Sequence, residues 1–336
     1  MRVFRGLRHP DLLRPCALTI GNFDGVHRGH QAMLALLINE ARHRGVPSAV
    51  LTFEPHPRDF FARAAKAAPG SPGAGKPDTA PARVATLRDK LAELERCGID
   101  QTVVLPFDAA LASHTPAAFV EGVLVAGFGA RYVLVGDDFR FGAKRAGDYA
   151  MLDAAGAVHG FDVARMQSYE VHGLRVSSSA VRDALAGGDM ARVAALLGRP
   201  YSISGHVLHG AKLGRELGFR TLNLRFAHPR PAAAGIFVVR VHGLTDAPLR
   251  GVASLGKRPT VDDSGRVLLE THVLDWPAAL GSDGGYGRLL RVELLHWLHE
   301  ERRYASLEAL REGIAADTAA ARAWWQRQPD ALKLTP

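Results

Sequence analysis

Two histidines, His27 and His30, stand three residues apart in the stretch Gly21-Asn22-Phe23-Asp24-Gly25-Val26-His27-Arg28-Gly29-His30. A glycine turn lets backbone approach a phosphate, and a helix start offers unpaired N–H groups and the positive end of a dipole. Residues three apart share one side of a helical turn, so both imidazoles can face the same ligand. This is equipment for nucleotide chemistry without a Walker lysine. A second helix start is written in Val176-Ser177-Ser178-Ser179-Ala180-Val181-Arg182. There Ser178 and Ser179 can cap N–H groups turned toward pyrophosphate, and Arg182, one turn on, can neutralise a leaving charge. Asp24 fits holding the turn as well as touching a ligand.

A different chemistry is written further along. Gly210, Gly214 and Gly218 suit a loop folded over phosphates. Thr221 and Asn223 are two apart, so in a strand they point the same way and offer a hydroxyl and an amide oxygen to Mg²⁺. Glu270 lies inside the apolar run 267–274, where an unpaired carboxylate is costly. It suits a general base for a hydroxyl nucleophile, and equally a structural ion pair.

The elements that must position these residues fall into two textures. Strand-like runs at 17–20, 49–53, 102–105, 132–135 and 161–166 alternate with helix-like runs at 31–44, 83–96, 115–126 and 149–157, which predicts a parallel sheet with helices on both faces. Ligands of such sheets bind beyond the carboxyl ends of the strands, where Gly21, Gly136 and the segment Thr52-Phe53-Glu54-Pro55-His56-Pro57 fall. Residues 67–81, rich in Pro, Gly and Ala, read as a surface loop. Residues 176–197 read as two short helices broken at Gly187-Gly188. Short strands then follow at 201–208, 236–242, 251–255, 267–274 and 289–298, predicting a small barrel. A closing helix, 306–327, carries Leu307, Leu310, Ile314, Ala321 and Trp325 at helical spacing to pack on it.

The 336 residues suit two domains, with an ordinary 47% apolar and 23% charged content. Cys16 and Cys97 provide neither a disulfide framework nor zinc spacing, and read as small packing residues in a reducing cytoplasm. No apolar run is long enough to span a bilayer, and the short apolar stretch after Arg2, Arg5 and Arg8 does not make a signal or transit peptide. The net charge of +8 is scattered, with no basic run, so anionic small substrates explain it better than nucleic acid. The oligomeric state is not written in the sequence.

The first motif, G-x-F-D-G-x-H-x-G-H, resembles the signature of HxGH nucleotidylyltransferases, and in particular the adenylyltransferase half of bifunctional riboflavin kinase/FAD synthetases. That resemblance implies that Gly21, Asn22, Phe23, Asp24, Gly29, Ser178 and Ser179 bind ATP, with His27, His30 and Arg182 at the transferring phosphate. It places Phe53, Pro55, His56, Pro57, Asp138, Phe139 and Phe141 by the flavin. On pattern alone Phe139 and Phe141 fit a core strand equally, Pro55-His56-Pro57 a rigid turn, and Asp138 stays open. The second half resembles riboflavin kinases through 214–223, 251–260 and 270–291. By that resemblance Gly210, Lys212, Gly214, Gly218, Thr221 and Asn223 bind ATP, with Thr221 and Asn223 also serving Mg²⁺, and Glu270 deprotonates the ribityl hydroxyl. Arg220, Leu222 and Ser254 depart from the family's proline, alanine and asparagine.

The expected architecture is therefore a Rossmann-like parallel sheet over 1–186 for FMN adenylylation, a linker at 187–199, and an antiparallel barrel with a packed helix over 200–330 for riboflavin phosphorylation. The substrates would be ATP, riboflavin and FMN, with Mg²⁺, and no nucleic-acid or membrane partner. The alternatives are a chain active only as the adenylyltransferase, or a non-catalytic basic nucleotide- or RNA-binding protein.

Overall fold

The computed structural model describes residues 1–67, 80–171, 173–209, 218–257, 267–281 and 283–328. The chain forms two compact units, Met1–Pro81 with Lys90–Val176, and Ala82–Asp89 with Ser177–Pro336.

The first unit is built on a six-stranded sheet: β1 (Arg2–Arg5), β2 (Cys16–Ile20), β3 (Ser48–Phe53), β4 (Gln101–Leu105), β5 (Ala130–Gly136) and β6 (Asp162–Met166). The order is β1-β4-β3-β2-β5-β6 and every pairing is parallel. All five residues of β2 and of β4 are buried, as the near-continuous apolar run of a doubly covered parallel strand requires. Helices α1 (Arg28–His43), α2 (Pro57–Ala67), α3 (Leu87–Arg96), α4 (Ala109–Ser113), α5 (Pro116–Phe119) and α6 (Tyr149–His159) supply the layers. One core joins α1, through Leu34, Leu37 and Ala41, to Ala17, Val50 and Leu134. The other gathers Phe119, Leu124, Phe128 and Leu152 against Leu18, Leu51 and Val133. Cys16 is fully buried in the latter, and burial pushes its thiol up to about 12, as an inert packing residue should behave.

The predicted strands and helices of this half are all present; α2 and α4 are additional, and three further differences stand out. β1 is an added edge strand whose Arg2 and Arg5 hide its pattern. The helix expected at 83–96 begins only at Leu87, because Thr86 bonds Asp89 through both its hydroxyl and the Asp89 N–H. The run at 115–126 is α-helical to Phe119 and π-helical over Val120–Val125. Most of the expected loop at 67–81 lies outside the described residues.

The second unit is a closed barrel in the order β10-β13-β12-β11-β14-β9: β9 (Tyr201–Leu208), β10 (Thr221–Phe226), β11 (Gly235–His242), β12 (Leu249–Lys257), β13 (Val267–Val273) and β14 (Leu289–His299). Its pairings are antiparallel. Between β6 and the barrel lie the short pair β7 (Glu170–Val171) and β8 (Leu174–Arg175) and helices α7 (Ser178–Ala186) and α8 (Met190–Leu197). Residues 82–89 are knitted to the barrel. Arg83 pairs with the 230–232 backbone, the Tyr201 hydroxyl donates to the Val84 carbonyl at 2.8 Å, and the Ser204 N–H donates to Asp89 at 3.0 Å. The closing helix α9 (Leu307–Arg327) is capped by Ser306 and buries Ala321 and Trp325 against Val238 and Val252. Leu307, expected on that apolar face, is instead 52% exposed, because the stripe engages only toward the far end of the helix.

One barrel wall carries a buried charge cluster. Arg240 and Glu293 stand opposite each other on β11 and β14, 1% and 2% exposed, with both Arg240 Nε and Nη2 at 2.6 Å from the carboxylate. His242 lies 3.3 Å from the same oxygen and Arg291 3.3 Å from the other. Burial alone would raise the Glu293 carboxyl, but His242 and Arg240 outweigh it and hold it below the usual range. A depressed carboxyl stabilises fully above the unfolded pKa and loses that contribution as pH falls through the folded value. Glu293→Gln, which removes the carboxylate from this buried cluster, is expected to cost about 3 kcal/mol and to remove this acid-side dependence. Urea unfolding followed at neutral and acid pH measures both.

Candidate active sites

In the first unit the order of strands reverses between β2 and β5, so the crevice beyond their carboxyl ends is the natural ligand position. Gly21 closes β2 there, and Gly136 closes β5. The turn from Gly21 to His27 is wound tightly. Phe23 and Val26 have φ of +47° and +41°, in the left-handed region costly for side-chain-bearing residues. Both side chains are buried, at 1% and 0% exposure, in the core beneath α1. The Phe23 ring folds back over Gly21, where an added Cβ would lie 3.0 Å from it.

The two histidines come together as their spacing predicts. Their rings stack 3.6 Å apart at 14°, with Phe23 against His30 at 4.9 Å. His27 is the N-cap of α1: its backbone is extended and its Nδ1 accepts from the His30 N–H at 3.3 Å. An accepting Nδ1 leaves the proton of the neutral ring on Nε2, which makes His27 an N–H donor. His30 sits where burial, then His27, then the charge of Lys90 hold it well below the usual histidine range. At neutral pH His30 therefore offers hydrogen bonding without adding charge. Asn22 Oδ1 and His30 Nδ1 are buried and lack partners among the described residues, so the turn presents polar atoms awaiting a ligand. Gly29 completes the stack, since a Cβ there would press on the His27 ring at 3.3 Å. Asp24 is buried in the same turn.

The residues expected near a flavin occupy the neighbouring strand ends. Phe53 ends β3, and its ring meets Phe107 edge-on at 5.7 Å. Phe60 and Phe61 on α2 also meet Phe107, at 5.5 and 5.7 Å, and Phe61 is 53% exposed. This four-ring cluster offers apolar faces to a flat ring system. Phe60, Phe61 and Phe107 were not singled out from sequence, because α2 carries no motif and Phe107 follows Pro106 in a bare loop. His56 is buried, and its Nδ1 accepts from the Arg58 N–H at 3.1 Å where Pro55 and Pro57 lead into α2. Phe139 stacks on Phe141 at 5.6 Å. Phe141 itself is a core ring, packed on Phe119 and over Gly147. Asp138 is exposed, while its neighbour Asp137 accepts from Ser168 at 2.5 Å, and that bond, with the charge of Arg175, outweighs burial and lowers its carboxyl.

Ser178, Ser179 and Arg182 lie on α7, which belongs to the second unit by its contacts. The cap is not Ser178 or Ser179 but Ser177: its extended backbone lets its hydroxyl accept from the Ala180 N–H at 3.2 Å. Ser178 and Ser179 are the first helical residues. Arg182 Nε donates to the Ala82 carbonyl at 2.7 Å.

In the barrel, strand register builds the second site. Asn223 on β10 stands directly opposite Glu270 on β13, which stands directly opposite Ser254 on β12. Opposite residues of an antiparallel ladder share a face, so amide, carboxylate and hydroxyl form one rung, with Thr221 two residues along on the same side. Asn223 Oδ1 is buried and lacks a partner among the described residues. Gly210, Lys212 and Gly214 lie outside the described residues; Gly218 has a φ of +85° that glycine alone adopts easily. Each departure finds a place. The Arg220 guanidinium lies 4.6 Å over the Trp276 ring and donates to the Gly281 carbonyl at 2.9 Å. Leu222 fills the space over Gly285, where a Cβ would strike its side chain. The Ser254 hydroxyl donates to Glu301 at 2.6 Å.

Comparison with known proteins finds a family for each half of the chain. The FAD synthetase family model matches residues 9–180 and the riboflavin kinase family model residues 197–325. A bifunctional riboflavin kinase/FMN adenylyltransferase of Pseudomonas fluorescens is 46% identical over 96% of this chain and 97% of its own length. The protein so described in Escherichia coli K12 is 42% identical over 96% and 97%. A solved structure described as a macrolide-efflux protein from Streptococcus pneumoniae is 25% identical, with a TM-score of 0.70, covering 96% of this chain and 98% of that one. Among the described residues no helix is long and apolar enough to cross a membrane. Two matching family models and relatives matched over nearly their whole length place this chain in the bifunctional riboflavin kinase/FMN adenylyltransferase family.

Proposed function

We infer that this chain phosphorylates riboflavin to FMN and then adenylylates FMN to FAD with release of pyrophosphate. The observation that carries the reading is the pairing, in one chain, of a stacked HxGH histidine pair on a glycine turn with an Asn223–Glu270–Ser254 rung on a barrel. The product of the second site is the substrate of the first.

Adenylyl transfer joins a phosphate oxygen of FMN to the α-phosphorus of ATP and breaks the bond to pyrophosphate. The nucleophile is already an anion, so the site needs position and donors rather than a base. His27 and His30 would donate to the phosphates, with the Gly21–Gly29 backbone and α1 dipole behind them, and Ser178, Ser179 and Arg182 would serve the pyrophosphate. Phe53, Pro55, His56, Pro57, Asp138 and Phe139 would border the flavin, joined by Phe61 and Phe107, with Phe141 supporting Phe139 from the core.

Riboflavin phosphorylation starts from a neutral hydroxyl, so a base is needed. Glu270 would take the proton as the hydroxyl oxygen bonds to the γ-phosphorus and ADP departs. Gly210, Lys212, Gly214 and Gly218 would cover the ATP phosphates. The unpartnered Asn223 Oδ1 and the Thr221 hydroxyl fit a hard divalent ion such as Mg²⁺, which when bound would screen phosphate charge. We assign adenylyl transfer to residues 1–186, counting α7 with it by motif, phosphorylation to 200–330, and a connecting role to 187–199. Two free cysteines suit a reducing cytoplasm, and small molecules rather than nucleic acid are the proposed partners. Arg220 and Leu222 both have packing partners, which favours a working kinase over a chain with adenylyl transfer alone.

Incubated with riboflavin, ATP and Mg²⁺, the chain is expected to yield FMN first and FAD later, separated chromatographically. Glu270→Gln should lower FMN formation about 10²–10⁴-fold while FAD still forms from added FMN. His30→Ala should halt the course at FMN, with FAD formation down about 10²–10³-fold. FAD from FMN but no FMN from riboflavin would confine activity to the first site. No product from either flavin would overturn the reading.

A further inference from the structure

A histidine stands on the rung next to Asn223, Glu270 and Ser254. Along β13, Leu268, Glu270 and His272 are half-buried while Val267, Leu269, Thr271 and Val273 are buried, so Glu270 and His272 share one face of the barrel wall. His272 stands directly opposite Thr221 on β10, as Glu270 stands opposite Asn223. Its Nδ1 lies 2.8 Å from the Arg220 carbonyl. A carbonyl only accepts, so Nδ1 carries the proton and donates, in the neutral ring and in the charged one alike. Phe219 meets the same ring edge-on, at 5.5 Å and 82°. Arg220 is held at its far end too: its guanidinium lies over Trp276 and donates to the Gly281 carbonyl, to which Trp276 Nε1 also donates at 2.9 Å.

These contacts fall where the chain enters the site. Thr221 is the first residue of β10, and Gly218, with its left-handed backbone, comes three residues earlier. Cross-strand register runs along β10 from Thr221 onward, and the bond from His272 extends the hold of β13 to the residue before it. The Thr221 hydroxyl and the Glu270 carboxylate act on one reaction from different strands, so their relative placement matters to the rate. We propose that His272 is a positioning residue of the phosphoryl-transfer site: by donating from Nδ1 to the Arg220 carbonyl it sets the backbone entering β10, and with it the place of the Thr221 hydroxyl relative to Glu270. This rests on the riboflavin kinase reading of the barrel. His272 touches neither flavin nor nucleotide in this role; it acts through Arg220 and Thr221.

The test uses the full chain, with FMN formation from riboflavin by the unaltered protein as the control on the underlying reading. If that control fails, the kinase reading fails and not this proposal alone. His272→Leu keeps much of the bulk and removes the donor. It is expected to lower kcat for FMN formation about tenfold or more, since small misplacements at a reacting centre are costly. KM for ATP and the Mg²⁺ concentration giving half-maximal rate should both rise, with KM for riboflavin and FAD formation from added FMN unchanged. His272→Asn places an N–H donor where Nδ1 stands and should restore most of the rate and the affinity for ATP. His272→Gln places its donor further out, where Nε2 stands, and should behave like His272→Leu. A KM for ATP and a Mg²⁺ requirement unchanged in His272→Leu would overturn the proposal. If His272→Leu fails to fold, the contrast between Asn and Gln decides: equal rates in the two, or an Asn variant that does not fold, would show that the ring serves packing and not the Arg220 bond, and would overturn it as well.

Discussion

The adenylyl-transfer site depends on holding two side-chain-bearing residues in left-handed backbone. Phe23 and Val26 each bear strain of about 1–3 kcal/mol at φ of +47° and +41°. Burying a Phe or Val side chain returns about 1.5–3 kcal/mol. The turn is therefore sustained in part by the core under α1, in which both side chains are buried. Everything functional follows from that winding. Asn22 is turned so that its carbonyl meets Thr52, His27 reaches the N-cap position, and the cap fixes which nitrogen of His27 carries the proton. Glycine is used where a side chain has no room, under the Phe23 ring at Gly21 and beside the His27 ring at Gly29, and at Gly25, whose φ of +88° suits glycine.

The kinase rung is positioned by a different device. A barrel fixes register around its whole circumference, so Asn223, Glu270 and Ser254 are brought level by three strands that are far apart in sequence. This explains why three departures from the family pattern are tolerated. Leu222 points to the face opposite Asn223 and packs over Gly285, where the missing side chain makes room. Arg220 lies before the strand begins and is taken up by Trp276 and Gly281. Ser254 keeps its place on the rung and turns its hydroxyl to Glu301.

What was legible in the sequence was whatever repeats or punctuates. β2 and β4 are apolar throughout, the HxGH motif announces a helix start, and the alternating run over 267–273 gives a strand with Glu270 on its less buried side. What was hidden depends on partners distant in the chain. β1 is a strand only because β4 offers it an edge. Residues 82–89 read as the start of a helix, yet they belong to the barrel through Tyr201, Ser204 and the 230–232 backbone. The Phe53–Phe107 cluster joins rings from β3, α2 and a loop that no local pattern connects. Ser177 takes the cap from Ser178 and Ser179 because only backbone angle decides among three consecutive serines.

The two sites differ in the way their nucleophiles differ. A phosphate oxygen attacks as an anion, so a carboxylate base would repel it; in the proposed reading the stacked histidines over a helix start would supply donors. A ribityl hydroxyl attacks only as its proton leaves, and in the proposed reading Glu270, level with Asn223 on the barrel rung, would take it. Exchanging the two sets of side chains would leave each site with the wrong charge for its substrate: a base facing an anion in one, and neutral donors facing an undissociated hydroxyl in the other. The requirement extends below the surface of the sites. In the proposed reading phosphate charge in the first site would be met by the helix dipole, whereas the barrel site would share a divalent ion with its nucleotide through Asn223 Oδ1, which lacks a partner among the described residues. Charge on the incoming oxygen, more than the identity of the flavin, accounts for why one chain needs two such different folds to act on consecutive intermediates.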